Sequence, residues 1–157
     1  MLKTRLQSLA LVALLGVTGT LSAAEATKPG YDRHARGMAA LSTITGDGAG
    51  KMVESLRDIA PELSDWVIDF GYGDVVSRPE LSLHTRELAT VAALTALGNA
   101  QPQLKAHIKG ALNAGCTPRE VVEVIMQMAV YAGFPAAING ILAAKEVFAE
   151  RGVKVEH

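Results

Sequence analysis

The sequence predicts an all-α fold, a compact bundle of about six to seven helices. Three observations point there. Apolar residues recur at helical spacing in the second half, as in Leu104, Ile108, Ala111 and Leu112. Ala, Leu, Val and Gly dominate while aromatic residues make up 4%, which suits closely packed helices better than a sandwich of aromatic, β-branched strands. Thr117-Pro118-Arg119-Glu120 has the form of a capping box with proline at the first helical position. That start, and the length of the run behind it, make VVEVIMQMAV a helix although its composition could pass for a strand.

The elements follow in order. Residues 27–30 read as a linker. Residues 31–44 form a helix with Met38 and Leu41 on one face, broken by Gly46-Asp47-Gly48. Residues 51–59 form an amphipathic stretch carrying Met52, Leu56 and Ile59. Pro61 starts another helix, with Leu63, Trp66, Val67 and Phe70 on one side, ending at Gly71-Tyr72-Gly73. Residues 74–81 are expected to be a loop, because Pro79 forbids a continuous helix. Residues 83–97 form a helix apolar on most faces, stopped by Gly98-Asn99. Residues 102–114 follow and end at Gly115. The capped helix runs from Thr117 to about residue 132. Gly133-Phe134-Pro135 breaks it, and a last helix covers residues 136–151.

The first 26 residues stand apart. Lys3 and Arg5 precede the apolar run LALVALLGV, and small and polar residues lead to Ala24-Glu25-Ala26. That order is the pattern of a secretory signal peptide, cleaved after Ala26 or after Ala23. The apolar run is well short of the roughly 18 residues that a spanning helix needs. The expectation is an exported chain, periplasmic or secreted, with no membrane span once the signal is removed. Cys116 is the single cysteine, so one chain can form neither an internal disulfide nor Cys-x-x-Cys chemistry. A net charge of −1 gives no basic balance for nucleic acid.

No phosphate-binding glycine loop, H-E-x-x-H, G-x-S-x-G or paired Cys-His metal spacing occurs. A site has to be assembled from isolated polar residues on helix faces, and no metal ligand set is expected. His107 borders the apolar face of its helix, whereas Lys105, Lys109 and Asn113 lie on the opposite flank. It reads as a proton-transfer imidazole or as a core histidine bonded to a neighbouring helix. Glu87 shares a face with Val91 and Leu94, so its carboxylate points inward and needs a partner, unless it serves only the helix start. Arg78 in SRPEL suits a substrate carboxylate or a surface contact. Tyr131 suits a ligand hydrogen bond or the core. Glu120, Glu123 and Gln127 form a polar stripe that reads as a solvated face. Cys116 reads as a small buried residue ahead of the Thr117 cap. His34, His84 and the terminal His157 carry no supporting pattern.

SRPEL followed by TREL, then HIKGALNAGCTPREVVEVIMQMAVYAGFPAA, is similar to the carboxymuconolactone decarboxylase family, over roughly Leu63 to Arg151. The resemblance implies an alkyl hydroperoxidase D-like helical fold that associates as trimers or hexamers. With the signal-peptide pattern at 1–26, it divides the rest of the chain into an N-terminal helical extension at 27–60 and the family domain at 61–152. The namesake decarboxylates 4-carboxymuconolactone to an enol-lactone and needs no cofactor. Relatives of the alkyl hydroperoxidase D type use a Cys-x-x-Cys pair, a nearby Glu and a His four residues after the second Cys. Those cysteine positions fall at Ala100 and Gln103. His107 matches the His, and Glu87 matches the Glu with a one-residue adjustment. The resemblance therefore keeps a proton-relay pair and lacks the redox pair.

Two readings of function follow. One is cofactor-free decarboxylation, or related proton transfer, of a small carboxylated lactone or ring acid. His107 then donates the proton, Glu87 orients it, and Arg78 and Tyr131 bind substrate. The other is an exported binding or accessory protein on the same fold, favoured by the signal peptide because the namesake pathway is intracellular. A peroxiredoxin-type role stands third, since Cys116 alone would need an external resolving thiol.

Overall fold

Residues 32–155 are described by a computed structural model, and the signal-peptide reading of residues 1–26 lies outside them. Seven α-helices occur among these residues, with no strand. Helix α1 spans Arg33–Thr45 and is capped by Asp32, whose side chain accepts from the Ala35 amide. A short 3-10 turn, Gly46–Gly48, leads to α2 at Ala49–Glu54. Helix α3, Pro61–Trp66, runs without a break into a π-wound segment, Val67–Val76. Helices α4 (Leu83–Leu97), α5 (Gln101–Asn113), α6 (Pro118–Tyr131) and α7 (Phe134–Arg151) complete the bundle. None is long and apolar enough to cross a membrane.

Helices α4 to α7 build one core. Val91, Leu104, Ile108, Val121, Ile125 and Val147 are buried at its centre. Each repeats at three or four residues along its own helix, so every helix turns one apolar stripe inward. The capping box is present as expected: Thr117 accepts from the Glu120 amide, and Glu120 returns the bond to the Thr117 amide at 2.7 Å. Helix α7 begins two residues before the predicted start. Pro135 lies in its first turn, where a missing N–H costs nothing and the fixed φ suits the helix.

The N-terminal half is held differently. Helix α1 packs against the π-wound segment so closely that backbones touch. A Cβ at Gly37 would lie 2.2 Å from the Ile68 carbonyl oxygen, and one at Gly73 would lie 2.3 Å from that of Arg33. Only glycine allows this approach. Leu41, Val53 and Ile68 form a second small cluster beside it.

Three expectations are corrected here. Gly71-Tyr72-Gly73 does not end the helix, and residues 74–76 are not loop. The winding widens instead and continues to Val76, with the Ser77 amide bonded to the Tyr72 carbonyl at 2.8 Å. Pro79 lies beyond that end, so its missing amide costs the segment nothing. The stretch 51–59 is helical only to Glu54, and Ile59 is exposed. The apolar side of Leu63, Trp66 and Phe70 faces outward, while Ser64 and Ile68 face in.

Candidate functional site

Glu87 sits one turn into α4, among side chains that bury it: it is 2% exposed. A lone carboxylate there would be costly. Its partner comes from α5, where His107 Nδ1 lies 3.0 Å from Glu87 Oε2. With Glu87 ionised, Nδ1–H is the donor, and the tautomer leaves Nε2 as the free ring nitrogen. A buried acid bonded in this way fixes an imidazole's tautomer and orientation.

The room for Glu87 is made by Gly110. A Cβ there would fall 2.7 Å from Glu87 Oε2 and 2.6 Å from Ile44 Cγ2. Gly110 stands three residues after His107 on the same helix, so α5 supplies both the imidazole and the gap into which its partner reaches. A glycine inside an otherwise regular helical pattern was the available signal.

His107 lines a cavity of about 340 Å³. Ile44 and Met52 wall it from the N-terminal helices, Tyr72 from the π-wound segment, and Gln103 and Lys109 from α5. Gln103 occupies the place where the family resemblance puts the second cysteine, one turn before His107. Tyr72 and Lys109 were not singled out from the sequence. Tyr72 reads there as part of a helix-ending turn, and Lys109 as a solvent-facing residue. Lys109 Nζ is 2.5 Å from Glu150 Oε2, and this bond holds the Glu150 carboxyl below its usual range. Burial, and then the charge of Glu87, push the Tyr72 hydroxyl up to about 12.

Arg78 and Tyr131 are not brought to this cavity within the subunit. Arg78 follows the π-wound segment on an exposed turn, its Nε 3.5 Å from Glu80 Oε2, and borders a separate hollow with Arg36 and Ser77. Tyr131 ends α6 and is 76% exposed. Cys116 is buried, and its Sγ lies 3.5 Å from the His84 carbonyl oxygen. Burial first, then the charges of Glu120 and Glu87, push its thiol up to about 11, which suppresses the thiolate. His84 pairs with Glu120 at 3.2 Å, away from His107's cavity wall, and His34 with Asp69 at 2.7 Å. Among the described residues no three His, Cys, Asp or Glu side chains gather as metal ligands.

Residues 61–146 match the carboxymuconolactone decarboxylase family. The chain belongs to that family. It is 34% identical over 125 residues to 4-carboxymuconolactone decarboxylase of Acinetobacter baylyi, covering 79% of this chain and 92% of that protein. A match of that length extends past residues 61–146 into the N-terminal helices, which also wall the cavity. The chain is 33% identical over 99 residues to a 15.0 kDa protein from the nqo9-nqo10 intergenic region of Paracoccus denitrificans, covering 62% and 74%. It is 26% identical over 113 residues to nitrosuccinic acid decarboxylase of Metarhizium robertsii, covering 70% and 78%. In this chain His107 lines a partly open hollow, and the buried Glu87 is bonded to it from behind that wall.

Proposed function

We propose that the protein is a cofactor-free decarboxylase acting on a small carboxylated lactone or ring acid. The observation that carries the proposal is the buried Glu87 carboxylate bonded to His107 on the wall of a cavity large enough for such a molecule. Two relatives named as decarboxylases of small acids support the same reading.

Loss of CO₂ breaks a carbon–carbon bond and leaves its electron pair behind. A conjugated carbonyl takes up that pair as a dienolate, and carbon must then be reprotonated. His107, as imidazolium, delivers that proton from Nε2. Glu87 stabilises the positive ring and fixes its direction. The proton delivered is replaced from solvent, so each turnover takes up one proton and releases one CO₂. Lys109 is the ammonium on the cavity wall, and a substrate carboxylate reaches it by sharing or displacing its bond to Glu150, whereas Arg78 and Tyr131, as placed in this subunit, take no part.

Purified protein incubated with 4-carboxymuconolactone, beside His107→Gln, tests the proposal. Substrate loss that disappears in the variant supports it. A folded protein that leaves the substrate untouched contradicts it. A peroxidase role finds no support in Cys116, which is buried and held as the thiol.

Residues 1–26 direct export, and N-terminal sequencing of periplasmic or secreted protein tests that; a chain retained with residue 1 intact contradicts it. Further copies of the chain cover the exposed Val130, Tyr131, Phe134 and Ile138 at the α6–α7 junction. Light scattering that finds a trimer or hexamer supports this, and a monomer contradicts it.

A further inference from the structure

Tyr72 enters the cavity from the half of the molecule that does not supply Glu87 or His107. Its ring packs on the cluster of Leu41, Val53 and Ile68, so the side chain is already held before any substrate arrives. It stands between Gly71 and Gly73 on the π-wound segment, where Gly73 meets the backbone of α1. The same residue forms part of the wall that His107 lines. The Glu87 carboxylate is close enough for its charge to act on the phenol. Burial and charge alone account for the raised affinity of that phenol for its proton; no hydrogen bond ties it to Glu87. The hydroxyl is therefore protonated throughout the neutral range, unsuited to act as a base and free to donate.

A dienolate formed in this cavity develops its charge beside the His107–Glu87 pair. Its oxygen needs a donor other than His107, whose proton goes to carbon. Resting on the decarboxylase reading above, we propose that the Tyr72 hydroxyl donates the hydrogen bond to the oxygen on which negative charge develops. The carbon–carboxylate bond breaks, CO₂ departs, and the electron pair moves through the conjugated double bond onto the carbonyl oxygen. Tyr72 keeps its proton and stabilises that oxygen by hydrogen bonding. His107 delivers the proton to carbon, and the electron pair returns from oxygen to form the new C–H bond. Tyr72 is thus a catalytic residue that touches the reacting oxygen, and its role differs from that of the proton donor.

Tyr72→Phe in the full chain removes the hydroxyl and keeps the ring in its packing. With 4-carboxymuconolactone, kcat is expected to fall roughly 100-fold while KM stays within about twofold, because the bond strengthens as charge develops. The melting temperature should stay unchanged. A variant with wild-type kcat overturns the proposal. Calorimetric binding of tetronate, a stable five-membered lactone enolate, gives a reading that needs no turnover. Affinity should fall about tenfold in Tyr72→Phe. If the wild type turns over no lactone yet binds tetronate in a hydroxyl-dependent way, the donor assignment stands and the decarboxylase reading falls. Equal tetronate affinity in the two proteins, or none in the wild type, overturns the assignment itself.

Discussion

The two halves of this molecule are held together by different means. Helices α4 to α7 present apolar stripes to a shared core, and side chains fill the space between them. Helix α1 and the π-wound segment meet backbone to backbone across Gly37 and Gly73, with little side chain between. The first kind of packing tolerates local rearrangement, because side chains can shift. The second does not, because a carbonyl oxygen cannot yield to an added methyl without moving a helix. The cavity lies where these two halves meet: α5 supplies His107, and the N-terminal half supplies Ile44, Met52 and Tyr72.

The comparison breaks if the backbone contact proves soft. Gly73→Ala is expected to cost about 3 kcal/mol or more in denaturant unfolding, at the upper end for overpacking. Gly50→Ala is the control. Its Cβ would meet nothing within 4 Å, and the change should stabilise the helix by about 0.5–1 kcal/mol. Equal effects at the two positions would remove the contrast. Ile108→Ala, in the side-chain core, should cost about 2–5 kcal/mol and leave the α1 contact in place.

Gly110→Ala joins the two halves in one experiment. The atoms its Cβ would meet are side chains, Ile44 Cγ2 and Glu87 Oε2, which can move. The stability loss should be about 1–2 kcal/mol, smaller than at Gly73. Turnover should fall more than stability suggests, because Glu87 is displaced from His107. Thr117→Ala removes the capping box from α6 alone and should cost about 1 kcal/mol, read from the denaturation midpoint.

A further effect is alkaline. Cys116 and Tyr72 are both raised, to about 11 and about 12, from ordinary values of 9.0 and 10.0. In each case the folded state holds a proton that the unfolded chain gives up earlier. The stability from each group is complete below its ordinary value and is lost as pH rises toward its folded one. Unfolding midpoints should decline from about pH 9 upward. Cys116→Ala should flatten the first part of that decline, and an unchanged slope would place the thiol in a less buried setting.

How much could be read in advance follows the same division. The residues of α4 and the capping box of α6 are local signals, written within a few positions of each other, and both were legible. Glu87 and His107 were legible as a pair through helical phase and family resemblance, although 20 residues separate them. The contact of Gly37 with Ile68 and of Gly73 with Arg33 joins distant segments through absent side chains, and no periodicity records it. The π-winding runs through Tyr72 beside Gly73, whereas by local sequence Gly71-Tyr72-Gly73 reads as a turn. Lys109 reads as solvent-facing by the phase of its own helix, whereas its surroundings come from other elements. Arg78 and Tyr131 stand out in the sequence by what their side chains can do, and residue chemistry alone does not say which cavity a residue faces.

A double-mutant cycle on turnover of 4-carboxymuconolactone tests most directly whether Glu87 acts through His107. Glu87→Gln, His107→Gln and the double variant are compared with wild type at equal folded concentration. If Glu87 serves to orient and charge-balance the imidazole, the double variant is no slower than His107→Gln alone. Losses that multiply, with the double variant slower by the product of the two single effects, would show that the residues act independently and would contradict the account.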